Sequence, residues 1–267
     1  MPVQSKISSS RRIIIKIGTA IITQNKILNE KWLREKIKEI AHLKNTGKEI
    51  LVISSGAVGT GMLLEGLTSR PKEILKLQML SGKGQPMLMN IYRENFAKHE
   101  IQTAQVLLTH HNFSNAEEVR TFRDVVNGYL KEGTIPIINE NDIISKDEFT
   151  SPKTGYFSDN DELSAMVALS LDVDLLVILT DVDGLFTSDP RKNPEAKLVP
   201  VVRNVTDEII RMASKDTNGM GLGGMLSKVM AAKKVSEKGT ITIVGNGLKK
   251  LDDIISGKSG RTIFYSE

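Results

Sequence analysis

The sequence predicts an α/β protein, a three-layer αβα sandwich with a central, mainly parallel sheet. Short apolar runs rich in β-branched residues alternate with longer segments of helical periodicity along the whole chain. The strongest run, residues 175–179, is apolar throughout, which is typical of a strand buried on both faces. Because alternating strands and helices build parallel sheets, we expect ligands to bind at the carboxyl ends of the strands.

The first part of the chain shows this alternation clearly. Residues 12–17 predict a strand that ends in Lys16-Ile17-Gly18-Thr19, and Asn29 can cap the helix that follows. The next strands are predicted at residues 50–54, 103–108 and 135–138. Helices are predicted over residues 71–98 and after a capping box formed by Ser114 and Glu117.

The second part continues in the same way. Its predicted elements are a helix over residues 159–171, a strand at 175–179, a loop at 189–200, a glycine-rich loop at 218–224 that opens a helix to about 238, a strand at 240–244, a short helix and a last strand at 261–264. Because no repeat or flexible linker interrupts the chain, we expect one domain over residues 1–267 with two functional halves.

The composition excludes several classes of function. The absence of cysteine excludes disulfides, thiolate catalysis and cysteine-ligated zinc. The net charge of +4 is spread along the chain and aromatic residues make up only 4%, so a basic nucleic-acid surface is not expected. No apolar run reaches the roughly 20 residues of a membrane span, and the first ten residues do not resemble a secretory signal. We therefore expect a cytoplasmic protein without nucleic-acid or membrane partners.

Two fragments imitate nucleotide-binding motifs. Residues 219–224 match G-x-G-x-x-G, but the polar residues before them are not a strand and the next strand does not end in an acid. Residues 257–259 resemble the end of a P-loop, but they follow a helix and the opening glycine is missing. We therefore reject the first as a dinucleotide-binding motif and the second as a P-loop.

Two other fragments suggest different chemistry. Asp181-Val182-Asp183-Gly184 looks like the aspartyl nucleophile motif of haloacid-dehalogenase-type phosphatases, with Asp183 as the acid, and a phosphatase using Asp181 is kept as a remote alternative. His110-His111 and the acidic residues 159–162 could suggest a metal site. Adjacent histidines rarely share one metal and calcium-loop spacing is missing, so we interpret them as a surface pair and a helix N-terminus, and we name no metal ligand.

The polar groups at successive strand ends resemble those of the amino-acid kinase family, most closely its glutamate 5-kinase branch. The resemblance covers residues 13–264. It rests on Ile15-Lys16-Ile17-Gly18-Thr19, Ser54-Ser55-Gly56-Ala57, Gly84-Gln85, Asn139-Glu140-Asn141-Asp142, Asp159-Asn160-Asp161, Leu179-Thr180-Asp181 and Gly223-Gly224-Met225 through Lys228.

The resemblance implies the amino-acid kinase fold and transfer of a phosphoryl group from ATP to the γ-carboxylate of L-glutamate, the first step of proline biosynthesis in that branch. It implies Mg²⁺ bound mainly through the nucleotide phosphates. The implied catalytic residues are Lys16, Asp161 and Lys228. The implied glutamate-binding residues are Ser55, Gly56, Asp142, Asp159 and Asn160. The implied nucleotide-binding residues are Lys16, Thr180, Asp181, Leu222, Gly223, Gly224, Met225, Leu226, Ser227 and Lys228.

Charge explains why two lysines suit this reaction. A carboxylate with a pKa near ~4 is already ionised at neutral pH, so it needs no general base. Its approach to an anionic phosphoryl group needs cations on both sides of the transferred group, which we expect Lys16 and Lys228 to supply. Asp161 would hold the two ammonium groups in register. The cationic α-amino group of glutamate makes Asp142 a plausible partner at the other end of the substrate.

Further expectations follow from the resemblance. About residues 1–172 would form a substrate-binding half and about 173–267 a nucleotide-binding half, and no C-terminal PUA module is expected. We expect a homodimer or homotetramer, with proline as a possible feedback inhibitor. Leu222 and Leu226 depart from the hydroxyl residues usual in this loop. The alternatives are a sister kinase acting on N-acetylglutamate, aspartate, UMP or carbamate, and a non-catalytic nucleotide-sensing subunit.

Overall fold

The computed structural model describes residues 2–24, 27–146, 149, 160–214 and 224–266. The strands of this part of the chain are β1 (Arg12–Ile17), β2 (Thr23–Gln24), β3 (Ile27–Leu28), β4 (Glu49–Ser54), β5 (Thr103–Leu108), β6 (Ile135–Glu140), β7 (Leu175–Thr180), β8 (Val201–Val202), β9 (Ile241–Asn246) and β10 (Arg261–Phe264). The helices are α1 (Val3–Ser9), α2 (Thr19–Ile22), α3 (Glu30–Lys44), α4 (Ala57–Leu64), α5 (Ile74–Ala97), α6 (Ala116–Lys131), α7 (Asn160–Ser170), α8 (Asp207–Ser214), α9 (Met225–Ser236) and α10 (Leu251–Ser256), with a 3₁₀ helix at His110–Ser114.

The main sheet places β1 at the centre of the molecule. Over the described residues it has eight strands in the order β5-β6-β4-β1-β7-β9-β10-β8, and β2 pairs with β3 in a separate hairpin. All neighbouring pairs in the main sheet are parallel except β9 and β10. The prediction of a mainly parallel sheet is thus confirmed. Because β4 and β7 leave β1 on opposite sides, the carboxyl end of β1 is a topological switch point, where ligands bind in open α/β sheets.

Alternate residues of β1 supply the apolar cores on the two faces of the sheet. Ile13, Ile15 and Ile17 lie in the core that contains α3 and α5, whereas Ile14 lies in the core that contains α7 and α9. Successive side chains of a strand point to opposite faces, so Lys16 points to the same face as Ile14. Helices therefore cover both faces, as the three-layer prediction requires, and Lys16 is directed toward α7 and α9.

Two glycines allow α4 and α5 to pack with their backbones in contact. A Cβ atom at Gly61 would lie 2.0 Å from the carbonyl oxygen of Leu80, and one at Gly84 would lie 2.0 Å from that of Ala57. Real Cβ atoms do not approach so closely, so only glycine fits at either position. This contact fixes the N-terminal turn of α4 against α5, next to the pocket described below.

Several elements differ from the sequence-based expectations. Helix α1, the β2–β3 hairpin, β8 and α8 were not predicted. The capping box of Ser114 and Glu117 is wrong, because Ser114 ends the 3₁₀ helix and Asn115 caps α6 by accepting from the amides of Glu117 and Glu118. Of the helices described, none combines the length and apolar character that a bilayer span requires.

Candidate active site

A buried carboxylate joins the two lysines that the sequence singled out. Oδ1 of Asp161 lies 2.5 Å from Nζ of Lys16, and Oδ2 lies 2.9 Å from Nζ of Lys228. The Asp161 side chain is 0% exposed and each lysine side chain is 5% exposed. Burial alone would raise the pKa of Asp161, but the two ammonium groups outweigh it and hold the pKa well below its usual range. The carboxylate is therefore ionised and carries two cations at a fixed spacing.

The three residues of this charged cluster come from three different elements. Lys16 is the penultimate residue of β1, Asp161 lies in the first turn of α7, and Lys228 lies in the first turn of α9. The hydroxyl of Ser227 donates to Oδ2 of Asp161 at 2.7 Å and so ties the start of α9 to the same carboxylate. Asp161 thereby holds α7 and α9 at the carboxyl end of the central strand.

The predicted glutamate-binding residues surround a small pocket beside this cluster. The pocket encloses about 280 Å³, including its open mouth. The described residues that line it are Thr19, Ser55, Gly56, Ala57, Val58, Gly59, Arg70, Asn139, Asp142 and Asn160. Four predicted residues, Ser55, Gly56, Asp142 and Asn160, thus come together, whereas Asp159 lies outside the described residues.

The first turn of α4 presents backbone amides to this pocket. Gly56 precedes the helix with φ of +112°, a left-handed conformation that favours glycine, and no side chain caps the helix. The amides of Ala57, Val58 and Gly59 have no partner within the helix, because the first four amides of any helix lack one. Amides in this position attract an anionic group such as a carboxylate.

A chain of hydrogen bonds between amide side chains fixes the positions of Asn160 and Asn139 at the pocket. Asn160 donates from Nδ2 to Oγ of Ser55 at 3.0 Å and to Oδ1 of Asn139 at 3.2 Å. Asn139 in turn donates to Oε1 of Gln85 at 2.9 Å. Within the described part of the chain, Oδ1 of Asn160 and Oδ1 of Asp142 are buried and accept no hydrogen bond. Two oxygen acceptors are thus left for a cationic group of a ligand.

Asp142 has a strongly perturbed pKa. Burial raises the pKa to about 6, although a 2.5 Å hydrogen bond from Ser81 acts in the opposite direction. The negative charge of Glu140 raises the pKa further, and the positive charge of Arg70 lowers it. Such a carboxylate gains from a ligand cation that would replace its lost hydration.

The predicted nucleotide-binding residues fall at neighbouring strand ends. Thr180 ends β7 beside β1, and its hydroxyl donates to Asp181 at 3.2 Å. Gly224 precedes α9 without a side-chain cap, so the amides of Met225, Leu226 and Ser227 at the start of α9 lack intrahelical partners and, with Nζ of Lys228, fit phosphate oxygens. Leu222 and Gly223 lie outside the described residues.

The side chains that suggested a phosphatase or a metal site contact other side chains of the protein. Asp183 forms an ion pair with Lys249 at 2.8 Å, and Asp181 lies 3.6 Å from Arg191. The interpretation of His110 as part of a surface pair is wrong: its side chain is 16% exposed and lies between Glu140 and Glu162, at 3.7 and 3.8 Å. Over the described residues, no three acidic or histidine side chains are arranged to hold a metal ion.

Several residues of the site received no role from the sequence, among them Asn139, Gln85 and Arg70. Asn139 was part of a quoted motif, at the end of β6, but received no role. Gln85 precedes Pro86 within α5 and reaches the pocket only through Asn139. Arg70 lies between α4 and α5 and has no strand or glycine signal beside it. The position of Asn139 at the end of a strand could have identified it, whereas no such pattern identifies Gln85 or Arg70.

Comparisons with known proteins agree with this geometry. The family model described as "Amino acid kinase family" matches residues 11–245. The chain is 40% identical over 261 residues to the glutamate 5-kinase of Paraburkholderia xenovorans (strain LB400), covering 97% of this chain and 68% of the relative. It is 38% identical over 264 residues to the glutamate 5-kinase of Ralstonia pickettii (strain 12J), covering 98% and 69%.

Solved structures show the same fold at lower identity. A carbamate kinase from Giardia lamblia bound to AMP-PNP matches with a TM-score of 0.66 and 18% identity, over 97% of this chain and all of that one. An isopentenyl phosphate kinase matches with a TM-score of 0.61 and 18% identity, over 95% of this chain and all of that one. The chain belongs to the amino acid kinase family and, within it, to the glutamate 5-kinases.

Proposed function

We propose that this protein transfers the γ-phosphoryl group of ATP to the γ-carboxylate of L-glutamate, forming γ-glutamyl phosphate and ADP. The observation that supports this most directly is the pair of buried lysines held on one carboxylate, Lys16 and Lys228 on Asp161, at the sheet's switch point. Relatives that are 38–40% identical over nearly the whole chain bear the name glutamate 5-kinase.

In the proposed reaction, a carboxylate oxygen of glutamate attacks the γ-phosphorus while the bond to the β–γ bridging oxygen breaks. The attacking group is ionised at neutral pH, so no residue needs to remove a proton. Lys16 lies at the end of β1 and is proposed to neutralise the γ-phosphoryl and leaving oxygens. Lys228 and the first amides of α9 would bind the phosphates from the other side. Mg²⁺ would arrive with the nucleotide and supply further charge neutralisation there.

The pocket beside the cluster suits the rest of a free glutamate. Its α-ammonium group fits the two unpaired acceptors, Oδ1 of Asp142 and Oδ1 of Asn160. Ser55 and the amides after Gly56 lie where a carboxylate could be bound. In this proposal the residues up to about 172 supply the glutamate pocket, and those from about 173 supply most of the nucleotide site.

The same pocket disfavours the sister substrates. N-acetylation would replace the ammonium with a neutral amide, so Asp142 would remain buried without a cationic partner. UMP has no ammonium group either, so it too would leave Asp142 without a cationic partner. The phosphatase alternative would need Asp183 free to act, yet Lys249 neutralises it.

The proposal is tested with a panel of acceptors. ADP release and hydroxylamine trapping of the acyl phosphate would be measured with glutamate, N-acetylglutamate, aspartate, UMP and carbamate. We expect trapped product with glutamate and little with the others. The absence of glutamate turnover would overturn the proposal. A homodimer or homotetramer, inhibition by proline and a cytoplasmic location stay predictions.

A further inference from the structure

The glutamate pocket contains a second charged residue that the proposed function has not used. Among the described residues that line it, only Arg70 and Asp142 are charged. The others are glycine, alanine, valine or neutral polar residues. The described part of the pocket wall therefore carries one cation and one anion.

Arg70 has no side-chain partner among the residues that the structure describes. Its guanidinium group forms no hydrogen bond or ion pair with the residues that the structure describes. Its positive charge nevertheless lowers the pKa of Asp142. The lysines nearby differ in this respect, because Lys76 and Lys83 bind Glu65 at 2.5 and 2.8 Å. A half-buried arginine without a partner is costly unless a ligand completes its hydrogen bonds.

The backbone around Arg70 is restrained. The residue lies directly before Pro71, which disfavours helical geometry at position 70 and favours an extended backbone. The two helices that flank this connection, α4 and α5, are locked together by the glycine contacts at Gly61 and Gly84. The guanidinium is thus presented from a connection whose two ends are fixed.

A free amino acid bears opposite charges on the groups attached to its α-carbon. Asp142 and Asn160 offer acceptors for the ammonium group. The α-carboxylate still needs a cation, and Lys16 and Lys228 are both bound to Asp161. The planar fork of an arginine binds the two oxygens of a carboxylate together, which a single ammonium cannot do.

We propose that Arg70 binds the α-carboxylate of the acceptor and thereby selects amino acids in which that group is free. This inference rests on the proposed function, since it assigns a role within the same glutamate pocket. Arg70 and Asp142 then each recognise one of the two α-substituents, while the γ-carboxylate extends toward Lys16 and Lys228.

The test compares L-glutamate with 4-aminobutanoate, which has the same amino group and reacting carboxylate but lacks the α-carboxylate. The value of kcat/KM would be measured for both acceptors at saturating ATP in wild type, Arg70→Gln and Arg70→Lys. Lys83→Gln is the matched control, because it removes a nearby cation that binds Glu65 and does not line the pocket.

We expect Arg70→Gln to lower kcat/KM for glutamate about tenfold to a hundredfold, mainly through KM, because hydrogen bonds to charged groups are lost. The value for 4-aminobutanoate should stay within about twofold of wild type, since that acceptor has no α-carboxylate for Arg70 to bind. Arg70→Lys should fall between wild type and Arg70→Gln for glutamate, and Lys83→Gln should match wild type for both acceptors.

An equal loss on both acceptors would show that Arg70 only supports the pocket, and an unchanged value for glutamate would show that it does not bind the substrate. Either result overturns the inference and leaves the proposed function standing. Wild-type protein that fails to turn over glutamate would contradict the function itself, so the two failures are distinguishable.

Discussion

Nζ of Lys228 lies 2.9 Å from Oδ2 of Asp161, the same oxygen that accepts a hydrogen bond from Ser227. The other oxygen of this carboxylate is 2.5 Å from Lys16. One fully buried side chain therefore sets the distance between two cations from distant parts of the sequence. Replacing it should change both folding and chemistry.

We predict that Asp161→Asn lowers kcat by about 10²–10³-fold, because the two ammonium groups lose their common partner and their position. The free energy of unfolding should fall by about 3–5 kcal/mol, since two buried cations are left uncompensated. Asp172→Asn is the control, because that carboxylate is 81% exposed. Steady-state kinetics and thermal unfolding check both effects. Wild-type kcat in a folded Asp161→Asn protein would contradict the assigned role.

Ser227→Ala should have a smaller effect on the same carboxylate. Its loss removes one hydrogen bond to Asp161 while both ion pairs remain, so we expect kcat to fall by about tenfold or less. Ser236→Ala, at the other end of α9, removes a hydroxyl that donates to the carbonyl of Lys233 and should leave kcat unchanged. Equal effects of the two substitutions on kcat would argue against a role for Ser227 at the site.

Asp142→Asn should weaken glutamate binding specifically. It removes the negative charge proposed to face the substrate ammonium, so we expect KM for glutamate to rise by about tenfold to a hundredfold. KM for ATP should change little, because Asp142 lines the pocket on the glutamate side. The measurement is the pair of KM values under saturation with the other substrate. A rise confined to ATP would contradict the assignment.

The pKa of Asp142 gives a prediction about pH. With its pKa raised to about 6, the carboxyl group becomes protonated as the pH falls through 6, and kcat/KM for glutamate should fall with it. Stability responds in the opposite sense. The folded pKa lies above the unfolded value of 3.8, so the folded state binds the proton more tightly and this group's contribution to stability increases as the pH falls from about 7 toward 4.

The pH prediction is checked by comparing wild type with Asp142→Asn between pH 5 and pH 8, with thermal unfolding and glutamate kinetics recorded at each pH. The difference in unfolding free energy between the two proteins should vary with pH through this window. A difference that is constant across the window would show that Asp142 keeps an ordinary pKa.

Two glycine substitutions separate packing from helix propensity. Gly84→Ala places a methyl group 2.0 Å from the carbonyl of Ala57, so α4 and α5 must move apart, and we expect a loss of about 2–3 kcal/mol with reduced activity. Gly128→Ala in α6 meets open space and should stabilise the protein by up to about 1 kcal/mol. Denaturant unfolding measures both. Equal stability of the two variants would contradict the close contact.

The sequence predicted those parts of the structure that follow from periodicity and strand ends. Lys16, Ser55, Asp142 and Thr180 lie at or just after the ends of four strands, and their proximity follows from the parallel sheet. Arg70 could not be found in this way, since it lies between two helices and reaches the pocket only because α4 packs against α5.

The missed elements have physical causes of their own. Strand β8 has two residues, too few to show any alternation, and α8 has only eight residues, about two turns, in which helical periodicity can hardly repeat. The error at Ser114 arose because the chain forms a short 3₁₀ helix before α6, which moves the cap one residue further to Asn115. Local patterns do not reveal such an extra turn.

The burial of Lys16 and Lys228 on Asp161 has a consequence for the thermodynamics of turnover. A long lysine side chain loses up to about 2 kcal/mol of conformational entropy when it is immobilised. Here both side chains are ordered when the protein folds, so this loss is not repeated each time substrates bind. Removing the Asp161 carboxylate would release the two lysine side chains and make the activation entropy more unfavourable. The temperature dependence of kcat measures this change.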